Sequence, residues 1–242
     1  MMNFRHKLAV LSAGMLLLAG CGDQQITENI PSNTEPQSQF RVLNFIGDPR
    51  AAAVDIEVEG VAYRGGVAYR NLTAANIPYR AILTGQRTVR ILQSSDRGVA
   101  LFDGPVNIAE AGQVYTLLFA GTGATIQPIV LNDGAGLPGA NQVRIRVAHA
   151  SPSIGAIDVY VITTTANLAT AQPNAAAVTL GGVYSINRAL NTTTRVVLTA
   201  AGSKTPLYDA TFTPPAVGGG STTLVATDGA TAGTVQVTTI SP

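Results

Sequence analysis

A polar pattern that occurs twice constrains the fold of this chain more than any other feature. Arg41-Val42-x-Asn44 leads to Asp48-Pro49 and then to Val54-Asp55-Ile56-x-Val58. Arg146-Val147-x-His149 leads to Ser151-Pro152 and then to Ile157-Asp158-Val159-x-Val161. Proline and aspartate are six positions apart in both, and the first copy has two extra residues before its proline. Further on, Leu101-Phe102-Asp103 matches Leu207-Tyr208-Asp209, and the stretch around Tyr115-Thr116-Leu117 matches that around Thr222-Thr223-Leu224. Two copies at this period mean two similar domains, because a solenoid needs more repeats to bury its faces.

Within each half the apolar residues alternate. "FRVLNF", "AVDIEVEG", "RTVRILQS", "QVYTLLFAG" and "ATIQPIVL" read as strands in the first half. "QVRIRVAHA", "AIDVYVI", "TRVVLTA", "LYDATFT", "STTLVAT" and "GTVQVTTI" do so in the second. All have the period of two and the β-branched or aromatic content of half-buried strands. "TTANLATAQPNAAA" reads as a loop, since its Thr and Pro content opposes a helix. The prediction is all-β: two tandem immunoglobulin-like β-sandwich domains, 40–131 and 142–242, of roughly seven strands each. The Gly-, Pro- and Asn-rich stretch 132–141 reads as the linker between them, so each half is expected to fold by itself.

The N-terminus carries a different signal. Arg5, His6 and Lys7 precede a short apolar run from Leu8 to Gly20, too short for a comfortable membrane span. It ends Leu18-Ala19-Gly20-Cys21, and small residues before a cysteine behind such a run resemble the bacterial lipobox. The resemblance implies a signal peptide over 1–20, removed at Cys21, and acylation of that cysteine by diacylglycerol and palmitate-type chains. Cys21 is the single cysteine of the chain, so no internal disulfide competes for it. Gly22 follows without the aspartate of inner-membrane retention, which by the same resemblance implies the outer membrane of the cell envelope. Residues 21–39 form the lipidated cysteine and a polar tether, too poor in apolar groups to offset its ordering entropy. The 18 residues after the cysteine span about 23 Å as a coil and about 60 Å fully stretched.

Charge excludes one class of partner. The 15 basic and 14 acidic side chains become 13 and 14 once Arg5 and Lys7 leave with the signal. That near-neutral balance is no nucleic-acid footprint.

Only the second copy of the motif invites a catalytic reading. His149, Ser151 and Asp158 are the residue types of a nucleophilic triad, in which the base touches the hydroxyl and the acid orients the base. Against it, Ser151 precedes a proline where it suits a turn, and no nucleophile elbow accompanies it. The first copy places Asn44, Asp48 and Asp55 at the matching positions, which preserve hydrogen bonding but not a triad. His149 and Asn44 each continue a core-facing row (Val143, Ile145, Val147; Phe40, Val42), so a clasp on the loop backbone beside Pro152 or Pro49 is expected. Arg146 with Asp158 and Arg41 with Asp55 fall on the other faces of their strands and are expected to pair there.

"RVAHASPSIGAIDVYV" resembles the signature of the bacterial domain of unknown function four-three-nine-seven, strongly in the second half and loosely in the first. The resemblance implies repeated exported β modules and no established activity. Two further features suggest surfaces. Tyr63-Arg64, Tyr69-Arg70 and Tyr79-Arg80 would, if clustered, form an aromatic and cationic face suited to glycans or envelope proteins. Asp55, Glu57 and Glu59 line one strand face, read as solvated, with a weak Ca²⁺ site as the alternative. Neither cofactor nor metal is expected, since one histidine remains after the signal. The reading is a membrane-anchored, non-enzymatic binding, adhesion or envelope-structural lipoprotein. The alternatives are a carbohydrate-binding accessory protein and a hydrolase using His149, Ser151 and Asp158.

Overall fold

The computed structural model describes residues 35–71, 77–214 and 218–242, so Cys21 and the signal segment lie outside it. The first half contributes β1 (Gln37–Ile46), β2 (Ala53–Val58), β3 (Val61–Ala68), β4 (Arg80–Leu83), β5 (Gly85–Gln93), β6 (Asp96–Ile108), β7 (Val114–Gly121) and β8 (Gln127–Asn132). The second contributes β9 (Gln142–His149), β10 (Ile157–Thr163), β11 (Ala175–Val178), β12 (Val183–Ala189), β13 (Thr194–Ala200), β14 (Pro206–Phe212), β15 (Ser221–Asp228) and β16 (Val235–Ile240). The sheets run β4-β1-β7-β8 and β3-β2-β5-β6, then β12-β9-β15-β16 and β11-β10-β13-β14. Counted from the first strand of each half, the two orders are identical. Each half is a β-sandwich of two four-stranded sheets, and the chain is all-β apart from two short 3₁₀ turns among the described residues.

Five strands exceed the sequence expectation: β3, β4, β6, β11 and β12. Every one is a sheet edge. An edge strand packs against one neighbour, tolerates Gly and Pro, and loses the apolar regularity of a central strand. β3 contains Gly65-Gly66 and β6 contains Gly104-Pro105, while β4 and β11 have four residues each. Two boundaries also move. β1 begins at Gln37, inside the expected tether, because Gln37, Ser38 and Gln39 pair with Leu83, Ile82 and Ala81. Asn132 ends β8 and is not linker.

In the first half, Phe40, Val42 and Asn44 of β1 share a face with Tyr115, Leu117 and Phe119 of β7. That face looks into the sandwich, where Tyr63 of β3 stacks on Phe40 with ring centroids 4.4 Å apart. In the second half, Ile145 and Val147 join Val159, Val161, Leu198 and Leu224 in a separate core. The opposite faces of β1, β7, β9 and β15 were expected at the surface, yet they are buried too. Leu43, Phe45, Leu118 and Ala120 belong to one apolar cluster with Ala148, Ala150, Val225 and Ile240. The two sandwiches therefore pack sheet against sheet, and the strands between them are apolar on both faces for that reason. The loop 133–141 is not the sole connection between the halves.

Polar bonds lock this junction. Asp133 is 5% exposed, and its carboxylate accepts from Thr116 and, at 3.0 Å, from the Tyr79 hydroxyl. From the second half it receives Arg146 Nη2 in a salt bridge, with Arg146 itself 4% exposed. Burial pushes the Tyr79 phenol up to about 12, so it stays protonated and donates. Arg41, the counterpart of Arg146, reaches the other way, with Nη2 2.6 Å from Ser241 O.

Asp133→Ala would leave a buried guanidinium without its carboxylate, and such a broken pair costs about 3–5 kcal/mol. Asp103→Ala removes a half-exposed partner of Arg90 and is expected to cost under about 1 kcal/mol. Urea unfolding checks the difference, and the shared cluster predicts one transition for both halves. Equal small losses for the two variants would contradict the buried-lock account.

Candidate functional site

The repeated motif occupies the same places in both halves, and each of its polar side chains has a local task. Asn44 and His149 end the core-facing rows of β1 and β9. Asn44 Oδ1 accepts from Ile46 N at 3.1 Å, and its Nδ2 donates to Ala51 O at 2.7 Å and Val67 O at 3.1 Å. His149 Nδ1 accepts from Ser151 N at 3.3 Å, so Nε2 carries the proton and donates to Gly155 O at 2.8 Å. Both residues thus accept from the amide two positions on and donate to a loop carbonyl. His149 is fully buried, and burial pushes its imidazole below the ordinary histidine value.

The aspartates do not pair with the motif arginines as expected. Asp158 accepts from Ala177 N at 2.8 Å and Gly202 N at 2.9 Å. Asp55 accepts from Gly66 N at 2.9 Å and from the Ser94 hydroxyl at 2.6 Å. Ala177 and Gly66 have φ of 52° and 66° and lie where the edge strand slips register against β10 or β2. A bulge turns an amide out of the ladder, and the motif carboxylate satisfies it. The Ser94 and Gly66 bonds hold the Asp55 carboxyl below its ordinary value. The arginines instead bond across the parallel strand pair. Arg41 Nε donates to Thr116 Oγ1 at 2.9 Å and Arg146 Nε to Thr223 Oγ1 at 2.8 Å.

The triad is not assembled. Ser151 donates its hydroxyl to Asp228, which also accepts from Ser153 N at 3.3 Å and Ser153 Oγ at 2.8 Å. Asp158 serves the bulge, and its neighbour on the same face, Tyr160, is covered by Leu168 and lies beneath the Lys204 ammonium. In the first half Asp48 caps a 3₁₀ turn and is held well below the carboxylate range by hydrogen bonds from Arg50. Pro49 is the first residue of that turn.

The three Tyr-Arg pairs do not form one face. Tyr63 lies inside the sandwich mouth, with its hydroxyl on Phe40 O and the Arg80 guanidinium 5.3 Å from its ring centroid. Arg64 is half-buried beside it in sequence. Tyr79 stands on the opposite side of the sheet, under Arg41 at 4.8 Å. Tyr69 and Arg70 follow β3 and enter neither group. The acidic row is also not simply solvated: Glu57 pairs with Arg90 and Arg97, Asp55 with Arg97, and Glu59 accepts from Thr88 N. No group of three metal-ligating side chains occurs among the described residues.

What the linear reading missed is a cleft of about 510 Å³ at one end of the junction. Gly47, Asp48, Tyr69 and Arg70 line it from the first half, and Asp228 and Gln236 from the second. Arg70 Nη1 bonds Gln236 Oε1 at 2.8 Å across the halves. Gly47 marks a close approach of the two halves, since a Cβ there would lie 3.3 Å from the Pro152 ring. The loop carrying Asp48 and the loop held by Ser151 therefore meet at this cleft. No sequence pattern could announce it, because its two walls are 158 positions apart at Arg70 and Asp228.

His149→Asn copies the first half's solution and is expected to lower stability by about 1 kcal/mol or less, whereas His149→Leu leaves loop groups unpaired and costs about 1–3 kcal/mol. The folded protein resists protonation of His149, while the unfolded chain takes the proton near its ordinary value of about 6.5. Stability is therefore full above that value and falls as pH drops towards the folded value, by up to about 1.4 kcal/mol per pH unit. Urea midpoints at pH 7.5 and 5 check this, and His149→Asn should remove the difference.

A search of curated proteins finds no match. Among solved structures, the family CBM26 module CBMbc of Eubacterium rectale Amy13K, determined with maltoheptaose, shares 13% identity at a TM-score of 0.28. The match covers 85% of this chain and 97% of that one. The Bacillus anthracis TIE protein shares 8% at 0.26, over 83% of this chain and 34% of its own. The family profile is the informative match: it spans residues 38–160, from β1 through the motif segment of β10, and so takes in both copies of the polar pattern. By that match the chain belongs to the family described as Domain of unknown function (DUF4397).

Proposed function

We propose that this protein is a lipid-anchored, non-catalytic binding module of the bacterial cell envelope, with its second sandwich a further copy of the family domain. One observation carries the non-catalytic reading: both ring nitrogens of His149 are engaged by backbone, and the Ser151 hydroxyl is directed at Asp228 and not at the imidazole. A histidine so held cannot take a proton from Ser151 without dismantling its own turn. The hydrolase alternative loses its base on that ground.

Support for the anchor is the lipobox-like Leu18-Ala19-Gly20-Cys21, with Gly22 after it. Several acyl chains, each contributing about 0.8 kcal/mol per buried CH₂, hold a protein firmly at a bilayer. The polar stretch from Gly22 to Pro36 then separates the sandwiches from the headgroups, favouring a partner met at a distance: an envelope glycan or another envelope protein. The outer membrane is the proposed location. Dispersal of the Tyr-Arg pairs leaves one of them, Tyr69 and Arg70, at the cleft between the halves, and the candidate contact surface lies there.

Cys21→Ser is expected to abolish incorporation of radiolabelled palmitate and to leave the protein soluble or with its signal uncut. Label still entering the variant would overturn the anchor. Immobilised full chain is expected to retain a glycan or protein from solubilised envelope while hydrolysing no activated ester. Ester turnover lost together in Ser151→Ala and His149→Asn, with melting temperatures unchanged, would restore the hydrolase reading.

A further inference from the structure

We infer that the cleft between the two sandwiches is a binding site for a short neutral saccharide. This rests on the binding-module reading and names the ligand class for it. The cleft's volume of about 510 Å³ falls in the range of small-molecule sites, roughly 300–1,000 Å³, and is ample for two sugar rings. Its location between two packed domains is where such sites concentrate.

The lining chemistry selects the class. Tyr69 lines the cleft, with the Arg70 guanidinium over one face of its ring, 5.7 Å from the centroid. Asp228 accepts its three donors from Ser151 and Ser153 through Oδ1 alone. Oδ2 is the oxygen on the Gly47 side, where an added Cβ would come within 3.8 Å of it. Gln236 contributes a side-chain amide whose Oε1 accepts from Arg70 at 2.8 Å and whose Nε2 is a donor. A simple anion entering here would meet Asp48 and Asp228, and a simple cation would meet Arg70. Asp48 is already neutralised by Arg50. A neutral ring with one apolar C–H face and a rim of hydroxyls satisfies both kinds of wall: the face against Tyr69, the hydroxyls against carboxylate, guanidinium and amide.

The cleft also gives the turn from His149 to Ser153 a second consequence. His149 holds the turn that presents Ser151 and Ser153, and these two serines orient Asp228. The buried imidazole of His149 thereby sets a carboxylate at the cleft wall.

Isothermal titration of the full chain in a sugar-free detergent, with maltose, cellobiose and N,N′-diacetylchitobiose as probes, tests the assignment. At least one probe is expected to bind. Tyr69→Ala and Gln236→Ala should each weaken that binding tenfold or more, and Asp228→Asn several-fold, while Arg80→Ala leaves it unchanged. Melting curves accompany each variant; if Tyr69→Ala fails to fold, Gln236→Ala decides. Binding that survives both substitutions would overturn the cleft as the site. Binding of none of the three would overturn the saccharide class, and the module reading would then rest on the envelope-retention experiment alone.

Discussion

The carboxylate of Asp133 is where the two halves become one structure. It receives Thr116 and Tyr79 from the first sandwich and Arg146 from the second, in a setting closed to water. A buried pair of this kind gives little net stability over an apolar substitute, but it penalises every arrangement that separates its partners. The apolar faces around it, from Leu43 and Phe45 to Ala148 and Val225, could slide over one another. The ion pair is directional and fixes the register. The cleft depends on that register, because its walls come from opposite sides of the junction.

The repeated motif contributes at a different level. Three of its four polar positions solve structural problems that a sandwich of this strand order creates in each half. The arginine ties the parallel strands through a threonine, the asparagine or histidine plugs the end of the first strand, and the aspartate fills a bulge. Asn and His are interchangeable there because both offer an acceptor and a donor on one planar group. A motif of this kind resembles chemistry in sequence because buried hydrogen bonding and catalysis draw on the same residue types.

Function then separates from motif. The residues that repeat are structural, and of them only the Asp48-Pro49 turn reaches the cleft; Tyr69 and Arg70 face Asp228 and Gln236, none of which belongs to the repeated motif. Two copies of one fold, joined face to face, generate a site that neither copy contains. Binding sites between domains commonly arise this way, since a domain interface leaves concave ground that a single convex sandwich lacks.

The sequence by itself determined the all-β class, the internal repeat, the central strands and the core-facing direction of Asn44 and His149. Alternation and spacing are local properties, and they survive translation from chain to fold. It also carried the family signature. Edge strands such as β3, β6 and β12 escaped notice because one-sided pairing relaxes the pattern that betrays a strand. The partners of Arg146 and Asp158 were misassigned for a related reason: a strand has two faces, and the sequence shows which residues share one but not what covers it. Only the tertiary structure decided that the outer faces of β1, β7, β9 and β15 meet each other and not water. That choice turned the expected surface Arg146 into a buried one, made Asp133 a lock, and brought Arg70 to Gln236, because burial is settled by packing between segments far apart in the chain.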